Sequence, residues 1–376
     1  ARWEGKGFNI TLVESPDIDI VGVGEGSTPP LKKFFDEIGV EEDEWMKECD
    51  ATYKVGIEFP HWSTKPGFES YFHPFFTELD RFTAPAFFHN NQLRRQGVDL
   101  LGHPDPFFLS WELSKQRLSP VAQPNFPFEL LYGYHFDSGK LGKFLQTVAA
   151  RRGVKYQPAT VNEVVLDKQG FIDHLKTAEG EDIKGDFFVD CTGLRGHLLK
   201  RALGVPFESF GDVLFNDSAL VFATEPEENP IPQTTSTALK FGWIWKIPLT
   251  SRFSNGYVYS SRYVDDDAAE TEVREHLGLP DSAEPTRRIK FKIGCVREHW
   301  AKNCLAVGLS QGFIEPLEAT ALDMVQETVV RFIEAANKGG FTDEFRDEFN
   351  ARISRRFDAV RDYIVCHYRI NSRTDT

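Results

Sequence analysis

Short runs with apolar side chains at every second position, interrupted by a few helical stretches, make up most of this chain. Residues 8–14 alternate, are rich in β-branched side chains and predict a buried strand ending on the acid Glu14. Residues 30–37 and 41–49 read as short helices, the second opening on acids as the helix dipole prefers. One strand is expected over 51–62, with Thr52, Lys54 and Gly56 on one face and Tyr53, Val55 and Ile57 on the other. The stretch 63–130 is rich in Phe, Pro and His and poor in periodicity, which predicts loops and short helices. A helix over 138–151 has Asp137 as its N-cap, and strands follow near 154–158, 161–168, 171–178 and 186–190. Strands over 219–224, 239–249, 256–263 and 287–296 predict a mostly antiparallel sheet. Last comes a helix over 319–335 with Leu322, Val325, Val329 and Phe332 on its apolar stripe.

Two tryptophans lie two residues apart in Gly242-Trp-Ile-Trp-Lys-Ile-Pro248, so alternation puts Trp243 and Trp245 on one face of a strand that Pro248 ends. By itself such a pair is an aromatic contact in a core. Lys54 by itself is a solvated charge on a strand, and the basic run 287–292 alternates like a strand with one wet face. His73 and Phe75, in Phe72-His-Pro-Phe75, fit either a structural turn or an aromatic sandwich. Glycines 22, 24 and 26 allow backbone to approach a cofactor closely.

A net charge of -14 excludes nucleic acid as a partner, because phosphates demand clustered Lys and Arg. Apolar runs are too short to cross a bilayer, and no signal-peptide pattern opens the chain. Five cysteines without a Cys-x-x-Cys spacing predict reduced thiols in a cytoplasmic protein, with neither zinc nor a disulfide framework. At 376 residues there is room for one composite domain or two smaller ones. Glu14 fits the carboxylate that closes the second strand of a dinucleotide fold and holds ribose hydroxyls. The glycine turn such a fold places roughly 20 residues earlier is not found, which reads as a fragment whose parallel sheet lacks a central strand.

Taken in order, Val21-Gly-Val-Gly-Glu-Gly-Ser-Thr-Pro-Pro30, Phe72-His-Pro-Phe75, Val189-Asp-Cys-Thr-Gly193, Gly242-Trp-Ile-Trp-Lys-Ile-Pro248 and Val307-Gly-Leu-Ser-Gln-Gly-Phe-Ile-Glu-Pro-Leu-Glu-Ala-Thr320 resemble the flavin-dependent halogenases of the tryptophan halogenase family. The resemblance spans nearly the whole chain. It implies an α/β fold: a Rossmann-type domain like that of FAD-dependent monooxygenases, interleaved with an antiparallel substrate-side sheet and helical elements. Within one composite domain, FAD-binding parts would lie at about 1–62, 131–200 and 300–335. Substrate-side parts would lie at about 63–130, 201–299 and 336–376.

The same resemblance assigns roles. Lys54 and Glu318 would be catalytic, with hypohalous acid passing from the flavin to Lys54. A free lysine is neutral in only roughly 1 molecule in 2,500 at pH 7, so a haloamine at Lys54 requires burial, whereas a hydrogen-bonding role does not. Glu318 would orient the halogen donor and stabilise or deprotonate the cationic ring, with Glu315 as its rival or as an acceptor of turn amides. Glu14, Ser15, Ile18, Val21, Glu25, Gly26 and Leu309 would neighbour the flavin. Halide would sit on the backbone at Thr320 and Ala321, and His73 and Phe75 would sandwich the arene. Trp243, Trp245, Ile247 and Pro248 would form a barrier between arene and flavin. FAD, reduced by a separate flavin reductase, would be the cofactor, with halide and O2 as co-substrates. A small indole, tryptophan-like or phenolic arene would be the substrate, and a homodimer is compatible with this picture. An aromatic hydroxylase and a catalytically silent flavoprotein are the competing readings.

Overall fold

A seven-stranded sheet forms the centre of the computed structural model, which describes residues 1–18 and 23–374. Its order is Arg287–Lys290, Ser218–Thr224, Phe253–Tyr259, Gly242–Pro248, Thr234–Ala238, Gly56–Pro60 and Ser70–Pro74. Neighbours run antiparallel except Thr234–Ala238 beside Gly56–Pro60, where the pairing is parallel. Both faces are covered, so the inner strands are buried along most of their length rather than at alternate positions. On one face Leu220, Phe222, Ile244, Tyr257 and Tyr259 pack on Ala269 and Val273 of the helix Asp266–Leu277. On the other, Trp243, Trp245, Ile247 and Val258 join Phe357, Val360 and Ile364 of the long helix Arg346–Ile370 in the main core.

Cross-strand register aligns the second face. Trp245 lies opposite Ser236 on one side and Gly256 on the other. Gly256 has to be glycine, because a Cβ there would sit 1.8 Å from the Trp245 ring. Thr234, two residues from Ser236, pairs with Ile57, and Ile57 pairs with His73, while Phe59 pairs with Tyr71. Paired residues project to the same side, so Tyr71, His73, Thr234, Ser236, Trp243 and Trp245 share one surface.

A smaller sheet, Gly24–Gly26, Gly133–Asp137 and Thr52–Lys54, packs on this surface. A Cβ on Gly24 would meet the Ser254 side chain at 2.6 Å, which shows how closely the two sheets approach. Two parallel pairs stand apart from both sheets. Thr11–Glu14 runs beside Lys155–Pro158, and Phe188–Asp190 runs beside Cys304–Ala306. The α/β class with an interleaved antiparallel sheet is as the sequence predicts.

Several elements differ from expectation. The single strand over 51–62 is two strands, broken at Val55 so that Lys54 and Ile57 belong to different sheets. Residues 63–130 contain the strand Ser70–Pro74 and a 15-residue helix, Asp80–Arg94, which continues through Pro85. The strand ending at Glu14 is not buried: Ile10 and Leu12 are exposed. The helix expected over 319–335 is Ala321–Lys338 and buries Met324, Thr328, Phe332 and Ala336, leaving Val329 exposed. It packs this inner face, which differs from the expected stripe, on the helix Arg346–Ile370, an element the sequence reading did not include.

Candidate functional site

Lys54 closes the strand Thr52–Lys54, and its side chain is wholly buried. Its Nζ has no hydrogen-bond partner and lies 5.6 Å from the centre of the Phe75 ring. A Cβ on Gly26 would sit 3.1 Å from that nitrogen, so this glycine leaves room for the amine. Burial pulls the Lys54 pKa down to about 7, against the opposing pull of the Glu318 carboxylate. A sizeable fraction of the side chains is then neutral near pH 7, where a solvated lysine is almost wholly charged.

Glu318 lies in the turn before the helix Ala321–Lys338 and is also buried. His73 Nδ1 donates to its carboxylate at 2.9 Å. His367 Nε2 stands 2.7 Å from the other oxygen, an ion-pair distance off the line of a well-directed hydrogen bond. Burial alone would raise this carboxyl, but the two imidazoles outweigh it and hold the pKa at about 2. The partners are themselves fixed. His367 Nδ1 meets the Tyr71 hydroxyl at 2.8 Å, and the Tyr363 hydroxyl meets His73 Nδ1 at 3.1 Å. His73 is therefore committed to Glu318 on one edge, whereas Phe75 borders Lys54.

Glu315 does not bind turn amides, contrary to the expected alternative. Its Oε2 accepts from Asn216 Nδ2 at 2.7 Å, Trp243 Nε1 at 2.9 Å and the Tyr368 hydroxyl at 2.6 Å. Burial still raises its pKa. Trp243 is thus a hydrogen-bond donor as well as a wall, while Trp245 Nε1 is buried without a partner. Ile247 is buried in the same core, and Pro248 ends the strand with its carbonyl accepting from Thr52.

Ala319, in this same turn, has φ of 54°, a left-handed conformation that alanine adopts at a cost. Thr320 is the N-cap residue and Ala321 the first helical residue. Amides at that end have no partner within the helix and favour an anion.

The other expected cofactor neighbours cluster at strand ends. Glu14 and Asp190 each close a parallel strand at its carboxyl end, where open α/β sheets bind nucleotides. Ser15 Oγ bonds Thr160 Oγ1 at 2.7 Å, and Ile18 is exposed. Asp190 ties the turn after its strand together, accepting from Thr192 N at 2.9 Å and from Ser310 Oγ at 3.1 Å. Leu309 stands between Gly308 and Ser310 in the adjoining turn. Gly193, at φ 71°, has open space where a Cβ would be, and exposed Val189 and Leu194 flank it. The surface between these two glycine-bearing turns is thus open and partly apolar. Burial raises the Glu25 carboxyl to about 7. Val21 lies outside the described residues.

Similarity to known proteins settles the class. The tryptophan halogenase model matches residues 1–376. The chain belongs to the tryptophan halogenase family. It is 36% identical over 395 residues to the 7-chloro-L-tryptophan 6-halogenase KtzR of Kutzneria sp. (strain 744), covering 99% of this chain and 76% of that one. Among solved structures, the tryptophan 6-halogenase SttH of Streptomyces toxytricini superposes with a TM-score of 0.87 at 34% identity, covering 99% of this chain and 76% of that one. BrvH, a flavin-dependent halogenase from Brevundimonas sp. BAL3, gives 0.89 at 34%, covering 100% and 75%. This chain is a flavin-dependent halogenase, an oxidoreductase whose membership implies use of FAD, halide and O2, and the hydroxylase reading is not favoured. Among the described residues, no helix is long and apolar enough to cross a membrane.

Sequence reasoning missed His135, Thr234, Tyr71, Tyr363, His367 and Tyr368 as parts of the site. One signal was available for His367. The buried stripe Phe349, Ile353, Phe357, Val360, Ile364, His367 puts a histidine where helical spacing calls for an apolar residue.

Proposed function

We propose that this chain halogenates an electron-rich arene of the indole, tryptophan-like or phenol class, with Lys54 and Glu318 as its catalytic residues. A single observation carries the reading. A buried amine from early in the chain, bordering Phe75, and a buried carboxylate from late in it, held by His73 two residues from Phe75, lie beside the same sheet face. Bound FAD, reduced by a separate flavin reductase and supplied with O2 and halide, would furnish the halogen as hypohalous acid. Glu14, Ser15, Ile18, Val21, Glu25, Gly26 and Leu309 are the residues proposed to hold the cofactor. Thr320 and Ala321 would hold halide on their amides.

The lowered pKa of Lys54 favours the haloamine route over simple hydrogen bonding. The neutral amine attacks the halogen of hypohalous acid, giving an N–halogen bond and releasing water. The arene then takes the halogen from nitrogen as a solvent proton is added there, so that neutral amine leaves and the ring becomes a cation. Glu318, ionised throughout the neutral range, stabilises that cation, and the ring proton is relayed back to the amine. With its carboxylate clamped by two imidazoles, Glu318 acts more as a fixed counter-charge than as a strong base. His73 orients it, and Phe75 borders the reacting amine. Trp243, Trp245, Ile247 and Pro248 keep the arene from the flavin.

The test is mass spectrometry of an indole and phenol panel, with a flavin reductase and each halide in turn. Halide-dependent products are expected from the wild type, and none from Lys54→Ala or Glu318→Gln with FAD still bound. Product persisting in Lys54→Ala would remove the assignment.

A further inference from the structure

Among the described residues, three phenols touch the groups around Glu315 and Glu318, and they differ in what their rings can meet. Tyr368 gives its hydroxyl to Glu315 and lies against Trp62, with ring centres 5.6 Å apart. Tyr71 is stacked on Phe59, with centres 4.9 Å apart and 14° between planes, and its hydroxyl meets His367 Nδ1. Both are committed to packing. Tyr363, on the helix Arg346–Ile370, is instead 41% exposed. Its hydroxyl oxygen lies 3.1 Å from His73 Nδ1 and 3.2 Å from His73 Nε2, which turns the oxygen-bearing edge of the ring toward the site.

That edge is the reactive one. A phenol directs an electrophile to the carbons flanking its hydroxyl or opposite it, and in tyrosine the side chain occupies the opposite carbon. The two flanking carbons of Tyr363 therefore lie on the side of the imidazole that holds Glu318, and two residues beyond that imidazole Phe75 borders Lys54. Burial and the Glu318 carboxylate raise the Tyr363 pKa, so the side chain remains a neutral phenol. Neutral phenols are among the electron-rich arenes proposed above as substrates.

We propose that Tyr363 is a modification site, halogenated by the enzyme itself when it turns over with no arene bound. The proposal rests on the placement of the halogenating site at Lys54 and Glu318. Hypohalous acid, the oxidant that the halogenase activity supplies, gives its halogen to a ring carbon beside the Tyr363 hydroxyl. The oxygen–halogen bond breaks and a carbon–halogen bond forms. The displaced ring proton joins hydroxide as water, so no other oxidant or reductant is required. A bound arene takes the halogen first, and the mark accumulates only without one.

Proximity and exposure favour different tyrosines, which makes the proposal testable. Tyr156 is 40% exposed and its hydroxyl also meets a carboxylate, that of Glu14, but it lies on the separate strand Lys155–Pro158. Tyr263 is more exposed than either, at 66%. The experiment uses the Cys366→Ser chain, because the exposed Cys366 thiol three residues along the helix would consume halogen. FAD, a flavin reductase, O2 and bromide are supplied without arene, and the digested protein is read by tandem mass spectrometry for the bromine isotope doublet. Hypobromous acid added from bulk solution should follow exposure, marking Tyr263 most and Tyr156 and Tyr363 alike. Turnover should invert that order, with Tyr363 marked several-fold above both. Excess indole should suppress the mark, and Tyr363→Phe should remove it. Turnover labelling that follows exposure, or a Tyr363 mark undiminished by indole, would overturn the proposal. Bromination of added indole with Tyr363 unmarked in its absence would defeat this proposal alone; no bromination of any added arene would defeat the functional reading as well.

Discussion

Trp243 Nε1 donates to Glu315 Oε2 at 2.9 Å, joining the paired-tryptophan strand to the turn that carries Glu318. The bond anchors the base of that turn to the sheet, three residues before the proposed catalytic carboxylate. Trp243→Phe keeps the ring but removes one of three donors to a buried oxygen. A loss of roughly 1–2 kcal/mol in urea unfolding is expected, with kcat reduced as the Glu318 turn loosens.

Lys54 stores destabilisation in the fold. Its folded pKa is below the unfolded value, so between about 7 and 10.5 the unfolded chain binds more protons and stability rises with pH. Lys54→Met removes the cost of burying this group, which is of the order of a few kcal/mol near neutrality. Calorimetry at pH 7 should show a higher Tm for an inactive variant, and the gap should close as pH approaches 10. An unchanged or lower Tm would mean that the amine is better solvated than its burial implies.

His73 and Glu318 set opposite edges of a pH window. The Glu318 pKa is depressed, so its contribution to stability is present above its unfolded value of 4.5 and fades as pH falls toward about 2. The His73 pKa is raised, so its share is complete below 6.5 and disappears as pH climbs through the folded value. Denaturant midpoints followed against pH should therefore lose the alkaline decline in His73→Phe. In Glu318→Gln the acid decline should weaken and kcat should fall at least about 100-fold.

Gly256 is the site of least tolerance. Gly256→Ala places a methyl carbon 1.8 Å from the Trp245 ring, inside any van der Waals contact. Trp245 must leave its position, at a cost of about 3 kcal/mol or more. Near-ultraviolet circular dichroism should change with the loss of stability; an unaltered aromatic spectrum would contradict the packing.

Motif order made the family legible before any coordinates. Individual helices with clear caps were legible too: Asp137 does cap Ser138–Arg151, its carboxylate accepting from Lys140 N at 2.9 Å. Strand runs were visible, but their partners were not. Nothing local in residues 51–62 says that Lys54 joins one sheet and Ile57 another, because a break at Val55 becomes favourable only when both sheets are present. The Pro-rich stretch 63–130 predicted loops and short helices, yet the 15-residue helix Asp80–Arg94 runs through Pro85.

By itself, then, the sequence determined the family, the α/β class and the residues rich enough in chemistry to consider, since these depend on residue type and spacing. Only the tertiary structure decided that His73 and His367 clamp Glu318, that Trp243 serves Glu315, and that His135 and Thr234 stand beside Lys54. Those pairings join residues tens to hundreds of positions apart, and cross-strand register and helix packing place them. Burial then fixes their charge: desolvation and neighbouring groups move the pKa values, and neither can be read from the identity of a residue alone.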